Sequence, residues 1–257
     1  MSFLTVTERR NKIIEILNEC GRVNVNDLST RFEVSGVVIR TDLSELERQG
    51  LLTRVHGGAI TSYKSYYDMS LVQRSNTNAF EKKNIAKEIN KMINDNDTLM
   101  MNAGTTPLFV MREISDKKVT IVTNSIALAV EGAKNPNFKI LLIGGDVDSS
   151  YQFTYGTSAL RELERYTADT LILSVDGIDA ERGFTTFYHH EAELCKSMIK
   201  NSKRTIVAAD YNKIDRVAFA EVEAISSVDT IVTNENNITK ATIKKLRALG
   251  VEVLTVE

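Results

Sequence analysis

The sequence predicts an α/β protein built from a small helical N-terminal module and a larger Rossmann-like domain with a mostly parallel sheet. The main observation is a change in hydrophobic period, from a helical pattern before residue 60 to short apolar runs after Thr98. Helical segments separate most of these runs, and strands that alternate with helices indicate a parallel sheet covered on both faces. A polar, aperiodic stretch lies between the two patterns. We therefore expect a helical module at 1–60, a linker at 61–80 and an α/β domain at 81–257.

The N-terminal module shows three helical segments followed by a short hairpin. The first helix is expected to begin at Thr7 as its N-cap and to end at Gly21, and the second to begin at Asn26. Ser35 caps the third helix, which ends at Gly50. Two short strands joined by a Gly-Gly turn follow, so the module has the pattern of a winged helix-turn-helix.

The third helix of a winged helix-turn-helix enters the DNA major groove with its N-terminal residues at base edges. Arg40 can form two hydrogen bonds with a guanine, and the Ser35 hydroxyl at the helix start suits a phosphate oxygen. Arg9, Arg10 and Lys12 are expected to flank this surface. Three short helices with an apolar stripe also occur in proteins that bind no DNA, so the pattern alone leaves both interpretations open. The predicted DNA-binding residues are Ser35, Gly36, Val37, Arg40, Thr41, Arg54 and His56.

Seven apolar runs in the second domain are predicted to be the strands of the sheet. They are Leu99–Met101, Val119–Val122, Ile140–Ile143, Leu171–Val175, Ile206–Ala209, Ile231–Val232 and Val251–Leu254. The helices predicted between them are Leu108–Ile114, Ile126–Ala133, Ser158–Tyr166, Glu191–Asn201 and Thr239–Ala248. Because ligands bind such sheets at the carboxyl ends of the strands, the loops that follow the strands carry the candidate site.

The loops after five of these strands are polar and rich in small residues. Glycine lets the backbone approach a ligand closely, while threonine hydroxyls and the N–H groups of a helix start suit a phosphate. One such loop is weak evidence, because these residues also serve as turns and caps, but five in succession favour a small, anionic, polyhydroxylated ligand. The loops supply Asn102, Gly104, Thr105, Thr106, Thr123, Asn124, Gly144, Asp176, Gly177, Thr185, Asp210 and Lys213.

Specific stretches of the N-terminal module resemble the DeoR family of bacterial regulators. Residues 34–43 read VSGVVIRTDL and residues 46–59 read LERQGLLTRVHGGA, and the resemblance also includes Arg9-Arg10. It covers the whole module. Val38 departs from the family, which usually has threonine there, so this side chain is expected either in the core or against a thymine methyl group.

The resemblance extends through the α/β domain, and it implies a sensor domain similar in fold to ribose-5-phosphate isomerases and CoA transferases. It adds Glu191 and Lys196 to the predicted effector-binding residues. Asn102 departs from the family pattern, which usually has aspartate, and this removes a charge near the expected ligand.

The resemblance implies a transcriptional repressor of a carbohydrate utilisation operon, released from its operator by a phosphorylated sugar or hexitol. The expected partners are double-stranded operator DNA, that effector, and further copies of the chain in a dimer or tetramer. The alternative is a sugar-phosphate isomerase-like enzyme with an accessory DNA-binding module, in which Asp176, Glu191, Asp210 and Lys213 would include an acid–base pair.

Composition and missing motifs exclude several other classes. The 32 Lys and Arg residues against 34 Asp and Glu give a net charge of -2, which excludes a basic nucleic-acid coat protein. There is no nucleotide-binding glycine loop or nucleophile elbow, and the three histidines have no partners at metal-ligand spacing, so we expect no catalysis, no cofactor and no metal. No signal peptide or membrane-length apolar run is visible, which predicts a cytoplasmic protein with no membrane partner and reduced cysteines.

Overall fold

The computed structural model describes residues 4–55, 57–61, 71–236 and 239–256. The chain divides into two compact units, Met1–Asn78 and Ala79–Glu257. The first is helical with a small sheet and the second is α/β with a parallel sheet, which confirms the predicted fold class.

The N-terminal unit is a winged helix-turn-helix. Its elements are α1 Val6–Cys20, β1 Arg22–Asn24, α2 Val25–Phe32, α3 Gly36–Arg48, β2 Leu52–Val55, β3 Gly58–Thr61 and α4 Leu71–Asn76. Strand β3 pairs antiparallel with both β1 and β2. Ile13 and Leu17 of α1 meet Leu28 of α2 and Ile39 and Leu43 of α3 in one apolar core. The helical period of these residues predicts this shared face.

Two helices begin earlier than predicted. Helix α1 is capped by Thr5 rather than Thr7: the Glu8 N–H donates to Thr5 Oγ1 at 3.3 Å, and the Thr5 N–H donates to Glu8 Oε2 at 2.9 Å. This reciprocal pair needs an acid three residues after the cap, which Thr7 lacks. Helix α2 is capped by Asn24 rather than Asn26, because Asn24 Oδ1 accepts from the Asn26 N–H at 2.7 Å.

Strand β1 and helix α4 were not predicted. Three residues are too few to show an alternating pattern, yet β1 fixes the wing, since a Cβ at Gly58 would lie 2.0 Å from the Val23 carbonyl oxygen. Helix α4 falls in the segment expected to be a linker, where the polar composition gave no helical signal. His56, and residues 62–70 of the expected linker, lie outside the described residues.

The C-terminal unit is built around a sheet of seven parallel strands. Its helices are α5 Ala79–Asn90, α6 Thr105–Glu113, α7 Ile126–Gly132, α8 Thr157–Leu163, α9 His189–Lys200 and α10 Lys240–Ala248. The strands in chain order are β4 Thr98–Met101, β5 Val119–Thr123, β6 Phe138–Leu142, β7 Asp146–Asp148, β8 Phe153–Tyr155, β9 Ala168–Leu173, β10 Gly177–Asp179, β11 Gly183–Thr186, β12 Ser202–Ala208, β13 Ala220–Glu223, β14 Thr230–Asn234 and β15 Glu252–Val256. The sheet order is β15-β14-β12-β9-β4-β5-β6, and each of these strands contains or overlaps one of the predicted apolar runs.

Alternate strand residues pack to opposite faces of this sheet. On one face, Leu99 and Met101 of β4 join the buried side chains of α5, α6 and α7. On the other, Met100 joins those of α8, α9 and α10. Burial on both faces explains why the strands are continuous apolar runs in the sequence.

Several short antiparallel strands were not predicted from the sequence. Strands β7 and β8 form a hairpin, and β10, β11 and β13 form a separate sheet beside the ends of the parallel strands. These strands have three or four residues each, too few for a recognisable period.

Over the residues that the structure describes, no helix combines the length and the apolar character needed to cross a bilayer.

Candidate nucleic-acid interface and ligand site

Helix α3 presents one exposed face and one buried face. Ser35 caps it as predicted, accepting the Val38 N–H at 3.4 Å. Val37, Arg40 and Thr41 are exposed on the outer side, while Val38 is half-buried. The outward residues predicted for this helix therefore lie together on its solvent side.

Backbone and side chain contacts order this exposed face. The Thr41 hydroxyl donates to the Val37 carbonyl oxygen at 3.0 Å. A Cβ at Gly36 would lie 3.6 Å from Arg40 Nη1, so the guanidinium group extends back along the first turn of the helix. Arg40 is thereby placed beside the N-terminal end of α3, where base edges are read in helix-turn-helix proteins.

The wing is joined to α3 through Arg54 of β2. Its backbone N–H donates to Glu47 Oε1 at 2.8 Å, and its Nη1 donates to Ser44 Oγ at 2.7 Å. Both Ser44 and Glu47 belong to α3, so Arg54 lies next to the exposed face of the helix. His56, the other residue predicted on the wing, is outside the described part of the chain.

An ion pair network holds α1 against α3. Asp42 is 2% exposed, and it accepts from Arg9 Nε at 2.6 Å and from Arg10 Nε at 2.9 Å. Arg9 is also buried. Arg9 and Arg10 were expected to flank a DNA surface. This expectation is wrong for Arg9, because its guanidinium group is buried and paired with Asp42 inside the unit. Spacing on α1 could not reveal this, because Asp42 is 33 residues away from Arg9.

A buried polar cluster lies at the carboxyl ends of β4 and β9. We define it as Asn102, Asp176, Thr186, Glu191 and Lys213. Lys213 Nζ lies 3.2 Å from Asp176 Oδ1, and the Thr186 hydroxyl lies 3.0 Å from Asp176 Oδ2 and 2.6 Å from Glu191 Oε2. Each of these side chains is almost fully buried. Buried charges of this kind persist only with partners, so the cluster is a preorganised group of donors and acceptors.

Asp176 is the electrostatic centre of the buried polar cluster. Burial disfavours its charged form, but the charges of Lys213 and Arg216 and hydrogen bonds from the Phe187 N–H and the Thr186 hydroxyl outweigh burial and hold the pKa of Asp176 below its ordinary value. The carboxylate is therefore ionised at neutral pH.

Asn102 links the ends of β4 and β9. Its Nδ2 donates to the Ser174 carbonyl oxygen at 2.9 Å and to Glu191 Oε1 at 3.4 Å, while its Oδ1 accepts from the Ser174 N–H at 2.7 Å. Cys195 lies on the inner side, with Sγ 3.6 Å from Asn102 Nδ2. Burial, followed by the charge of Glu191, raises the pKa of the Cys195 thiol well above its ordinary value, so the thiol is neutral.

A second group of polar contacts joins β4 to β5. The Thr123 hydroxyl donates to the Met101 carbonyl oxygen at 2.7 Å, and the Ala103 N–H donates to Asn124 Oδ1 at 3.2 Å. Asn124 Nδ2 in turn donates to the Thr154 carbonyl oxygen of β8 at 3.2 Å. The β7–β8 hairpin is thus fixed over the end of β5.

The start of α6 follows directly on β4. Thr105 and Thr106 are buried in its first turn. The N-cap residue is Gly104, which has no side chain that could cap the helix. A Cβ at Gly104 would lie 2.7 Å from the Ser174 Cβ, so glycine permits the close approach of the β4 and β9 loops.

Three other predicted residues have structural contacts near the cluster. Asp210 Oδ1 accepts the Asn212 N–H at 3.0 Å and caps the short 3-10 turn that carries Lys213. Thr185 Oγ1 accepts the Ala218 N–H at 2.8 Å. A Cβ at Gly177 would lie 2.3 Å from the Arg216 carbonyl oxygen, so this glycine lets the 213–218 loop pack closely.

Two predicted effector residues are exposed and contact other groups. The Gly144 N–H donates to Glu162 Oε2 at 2.9 Å. Lys196 lies on the outer side of α9, where it lines a groove of about 540 Å³ together with Arg182 and Glu223. The structure therefore does not bring Gly144 or Lys196 into the buried polar cluster.

Arg216 is a neighbour of the buried polar cluster that was not among the predicted residues. It is buried, its guanidinium carbon lies 5.0 Å from the centre of the Phe187 ring, and its charge acts on Asp176. The only sequence signal is its position three residues after Lys213 in the same loop.

Among the described residues, no three His, Cys, Asp or Glu side chains are grouped as metal ligands.

Both units match known families. Residues 9–64 match the DeoR-like helix-turn-helix domain and residues 77–235 match the DeoR C terminal sensor domain. A putative aga operon transcriptional repressor of Escherichia coli O157:H7 is 34% identical, over 97% of this chain and 94% of that protein. An uncharacterized HTH-type transcriptional regulator of Bacillus subtilis, YulB, is 32% identical over 98% of both chains, and the glycerol-3-phosphate regulon repressor of Escherichia coli K12 is 32% identical over 89% of this chain and 90% of that one.

Among solved structures, a ribose 5-phosphate isomerase of Methanocaldococcus jannaschii is similar with a TM-score of 0.40 and 16% identity, over 54% of this chain and 55% of that chain. The relatives that align over nearly the full length are named as regulators, which agrees with the expectation of a protein that is not an enzyme. The chain belongs to the DeoR family of DNA-binding transcriptional regulators.

Proposed function

We propose that the protein is a repressor of a carbohydrate utilisation operon whose binding to operator DNA ends when a phosphorylated sugar or sugar alcohol binds the C-terminal unit. The observation that carries this proposal is the buried polar cluster at the strand ends of a chain whose other unit presents an exposed face on α3. Two relatives support the metabolic class by their names, which refer to the aga operon and to the glycerol-3-phosphate regulon.

On the operator side, Arg40 reads a base in the major groove, and Gly36, Val37 and Thr41 complete the contact surface of α3. Ser35 and the helix N-terminus bind a phosphate oxygen, and Arg54 of the wing contacts the DNA backbone; for His56, which lies outside the described residues, the same role rests on the sequence alone. Arg40→Ala should weaken operator binding by about 1–3 kcal/mol and relax the preference at one base pair. The matched control is Arg48→Ala, because Arg48 lies on the same helix but is paired with Glu45 at 2.6 Å.

On the effector side, the carboxylates of Asp176 and Glu191 and the amide of Asn102 bind hydroxyl groups, and Lys213 with Arg216 binds the phosphate. Gly104, Thr105, Thr106, Thr123, Asn124, Gly177, Thr185 and Asp210 complete or support this site. The pairing of buried acceptors with buried cations in one cluster suits a ligand that is both polyhydroxylated and anionic. Gly144 and Lys196 are not part of the proposed site.

The protein acts in the bacterial cytoplasm as a homo-oligomer, since two-fold operators are matched by paired reading helices. Effector binding favours an arrangement of the paired modules that no longer fits the operator. Because coupling free energies are reciprocal, operator DNA weakens effector binding by the same factor.

A thermal-shift screen of the full chain against phosphorylated sugars and hexitols tests the effector class. A ligand at about 100 times its Kd stabilises the folded protein by about 2.7 kcal/mol. The same ligand must release the protein from a DNA duplex selected out of a randomised pool. Ligands that stabilise the protein without releasing DNA would contradict the proposed coupling.

A further inference from the structure

The exposed face of α3 has an apolar part. Within α3, all of whose residues the structure describes, Val37 is the one large apolar side chain that is exposed, at 68%. Ile39, Leu43 and Leu46 are buried in the core. A single exposed valine on a surface needs no explanation, but this one lies in the first turn of the helix, where base edges are contacted in helix-turn-helix proteins.

The hydroxyl groups beside Val37 are already engaged. Thr41 lies one turn further along the same face, and its hydroxyl donates to the Val37 carbonyl oxygen at 3.0 Å. The Ser44 hydroxyl donates to the Arg40 carbonyl oxygen at 2.8 Å and accepts from Arg54 at 2.7 Å. The Thr41 hydroxyl is thus engaged with the backbone, and the methyl group of this exposed residue adds apolar area one turn away from Val37.

We propose that Val37, extended by the Thr41 methyl group, reads the C5-methyl group of a thymine in the operator. This thymine methyl is the apolar group that standard base pairs present in the major groove, and the other base edges offer polar atoms that valine cannot satisfy. We assign this role to Val37 rather than to Val38, because Val37 is exposed and Val38 is half-buried. The inference rests on the proposed insertion of α3 into the major groove.

The experiment uses the full-length protein and a duplex selected by it from a randomised pool. Each thymine of the selected duplex is replaced in turn by deoxyuridine, which removes only the methyl group and keeps every hydrogen-bonding atom. At one thymine, or at two neighbouring ones, binding should weaken ~3- to 5-fold, the ratio that loss of one buried methyl group corresponds to. Replacement elsewhere should change binding less than ~2-fold, or about 0.4 kcal/mol, since no apolar contact is removed there.

Two variants connect the methyl group to Val37. Val37→Ala should bind the thymine duplex ~3- to 5-fold more weakly and should no longer distinguish deoxyuridine at the sensitive position. Val37→Thr keeps one methyl group and should retain part of the distinction. The control is Val130→Ala, because Val130 is an exposed valine on α7 of the other unit, at 61%; it should leave the deoxyuridine profile unchanged.

The outcomes separate this inference from the proposed function. A selected consensus whose deoxyuridine profile is flat overturns methyl reading and leaves operator reading intact. A profile with a sensitive thymine that persists unchanged in Val37→Ala also overturns the assignment to Val37. A pool that yields no consensus at all overturns sequence-specific reading by α3 and the inference with it. Circular dichroism shows whether each variant keeps the fold of the parent.

Discussion

The two units place their candidate functional residues in opposite environments. On α3, Val37, Arg40 and Thr41 are exposed to solvent. In the C-terminal unit, Asp176 and Lys213 are buried and joined at 3.2 Å. DNA is a large rigid surface that is met by side chains on the outside of a helix, whereas a small ligand is met by groups arranged inside the protein.

The difference extends to what fixes each site. The buried side of α3 is held by the apolar core and by the Arg9–Asp42–Arg10 network, and this fixes the position of its exposed face. The network itself contacts no ligand in our proposal. In the buried polar cluster, the groups that fix the geometry are the same groups that would contact the effector. Substitutions should therefore separate stability from binding in the first unit and couple them in the second.

The largest effect is expected for Asp42→Ala. Removal of the carboxylate leaves Arg9 buried without its partner at 2.6 Å, and such losses cost about 3–5 kcal/mol. Urea unfolding of the full chain, followed by circular dichroism, should show the N-terminal unit unfolding at lower denaturant. Glu45→Ala is the control on the same helix, because its pair with Arg48 is exposed and should contribute little. Equal behaviour of the two variants would contradict a structural role for the Asp42 network.

Lys213→Met should weaken stability and effector binding together. It leaves Asp176 buried with Arg216 as the remaining nearby cation, and we expect a loss of about 2–4 kcal/mol in unfolding free energy and at least ~10-fold in effector affinity. The matched control is Lys203→Met, whose partner Asp169 lies at 2.8 Å but on the exposed surface. Calorimetric titration and thermal melting provide the two measurements. A stable Lys213→Met protein with normal effector affinity would contradict the coupled arrangement.

Asn102→Asp introduces the residue that the family usually has and should destabilise this chain by about 1–3 kcal/mol at neutral pH, because the Nδ2 donor to Ser174 is replaced by an acceptor. A proton on the new carboxyl group restores the donor, so its folded-state pKa is raised. The stability of the variant relative to the parent should then be best at low pH and fall as the pH rises through that value.

Thermal melting between about pH 4.5 and about pH 8, a range that begins just above the ordinary aspartate pKa of about 3.9, measures this dependence. Asn135→Asp is the control, since its Nδ2 also donates to a backbone carbonyl oxygen, that of Ser115 at 2.8 Å, but near the surface where water can replace it. A loss of stability in Asn102→Asp that does not change with pH would show that loss of the hydrogen bond to the Ser174 carbonyl oxygen is not the cause of the destabilisation.

The sequence predicted those parts of the molecule whose signals are long or local. The seven parallel strands are apolar because both faces of the sheet are covered, and Ser35 was identified because a cap is a local feature. The polar residues at the carboxyl ends of the strands were placed near one another by topology alone. Gly144 and Lys196 fell outside the cluster, since a strand-end position or a family motif does not say which way a residue faces.

Features that depend on distant pairing were not predictable. The Arg9–Asp42 pair spans 33 residues, and nothing on α1 indicates that Arg9 turns inward. Arg216 lies beside the cluster because its loop packs against Gly177 of β10, where a Cβ would lie 2.3 Å from the Arg216 carbonyl oxygen, and β10 is too short to be recognised in the sequence. The Thr5 cap is a different case, because its partner Glu8 lies only three residues away: this capping-box spacing is a local signal in the sequence, and the prediction of Thr7 missed it.

The smallest effect on stability is expected for Ser35→Ala, and it sharpens the separation of stability from binding on α3. The Ser35 cap bond is long, at 3.4 Å, so its loss should cost only about 0.5 kcal/mol, the lower end for N-caps. If the hydroxyl also binds a DNA phosphate, operator affinity should fall ~5-fold, more than the stability loss explains. Thr5→Ala is the control, because Thr5 caps α1 through its bonds with Glu8 and has no proposed DNA contact. It should lower stability by about 1 kcal/mol and leave operator affinity unchanged. Equal losses of affinity in both variants would mean that caps act on binding only through the fold, and that the first turn of α3 makes no phosphate contact through Ser35.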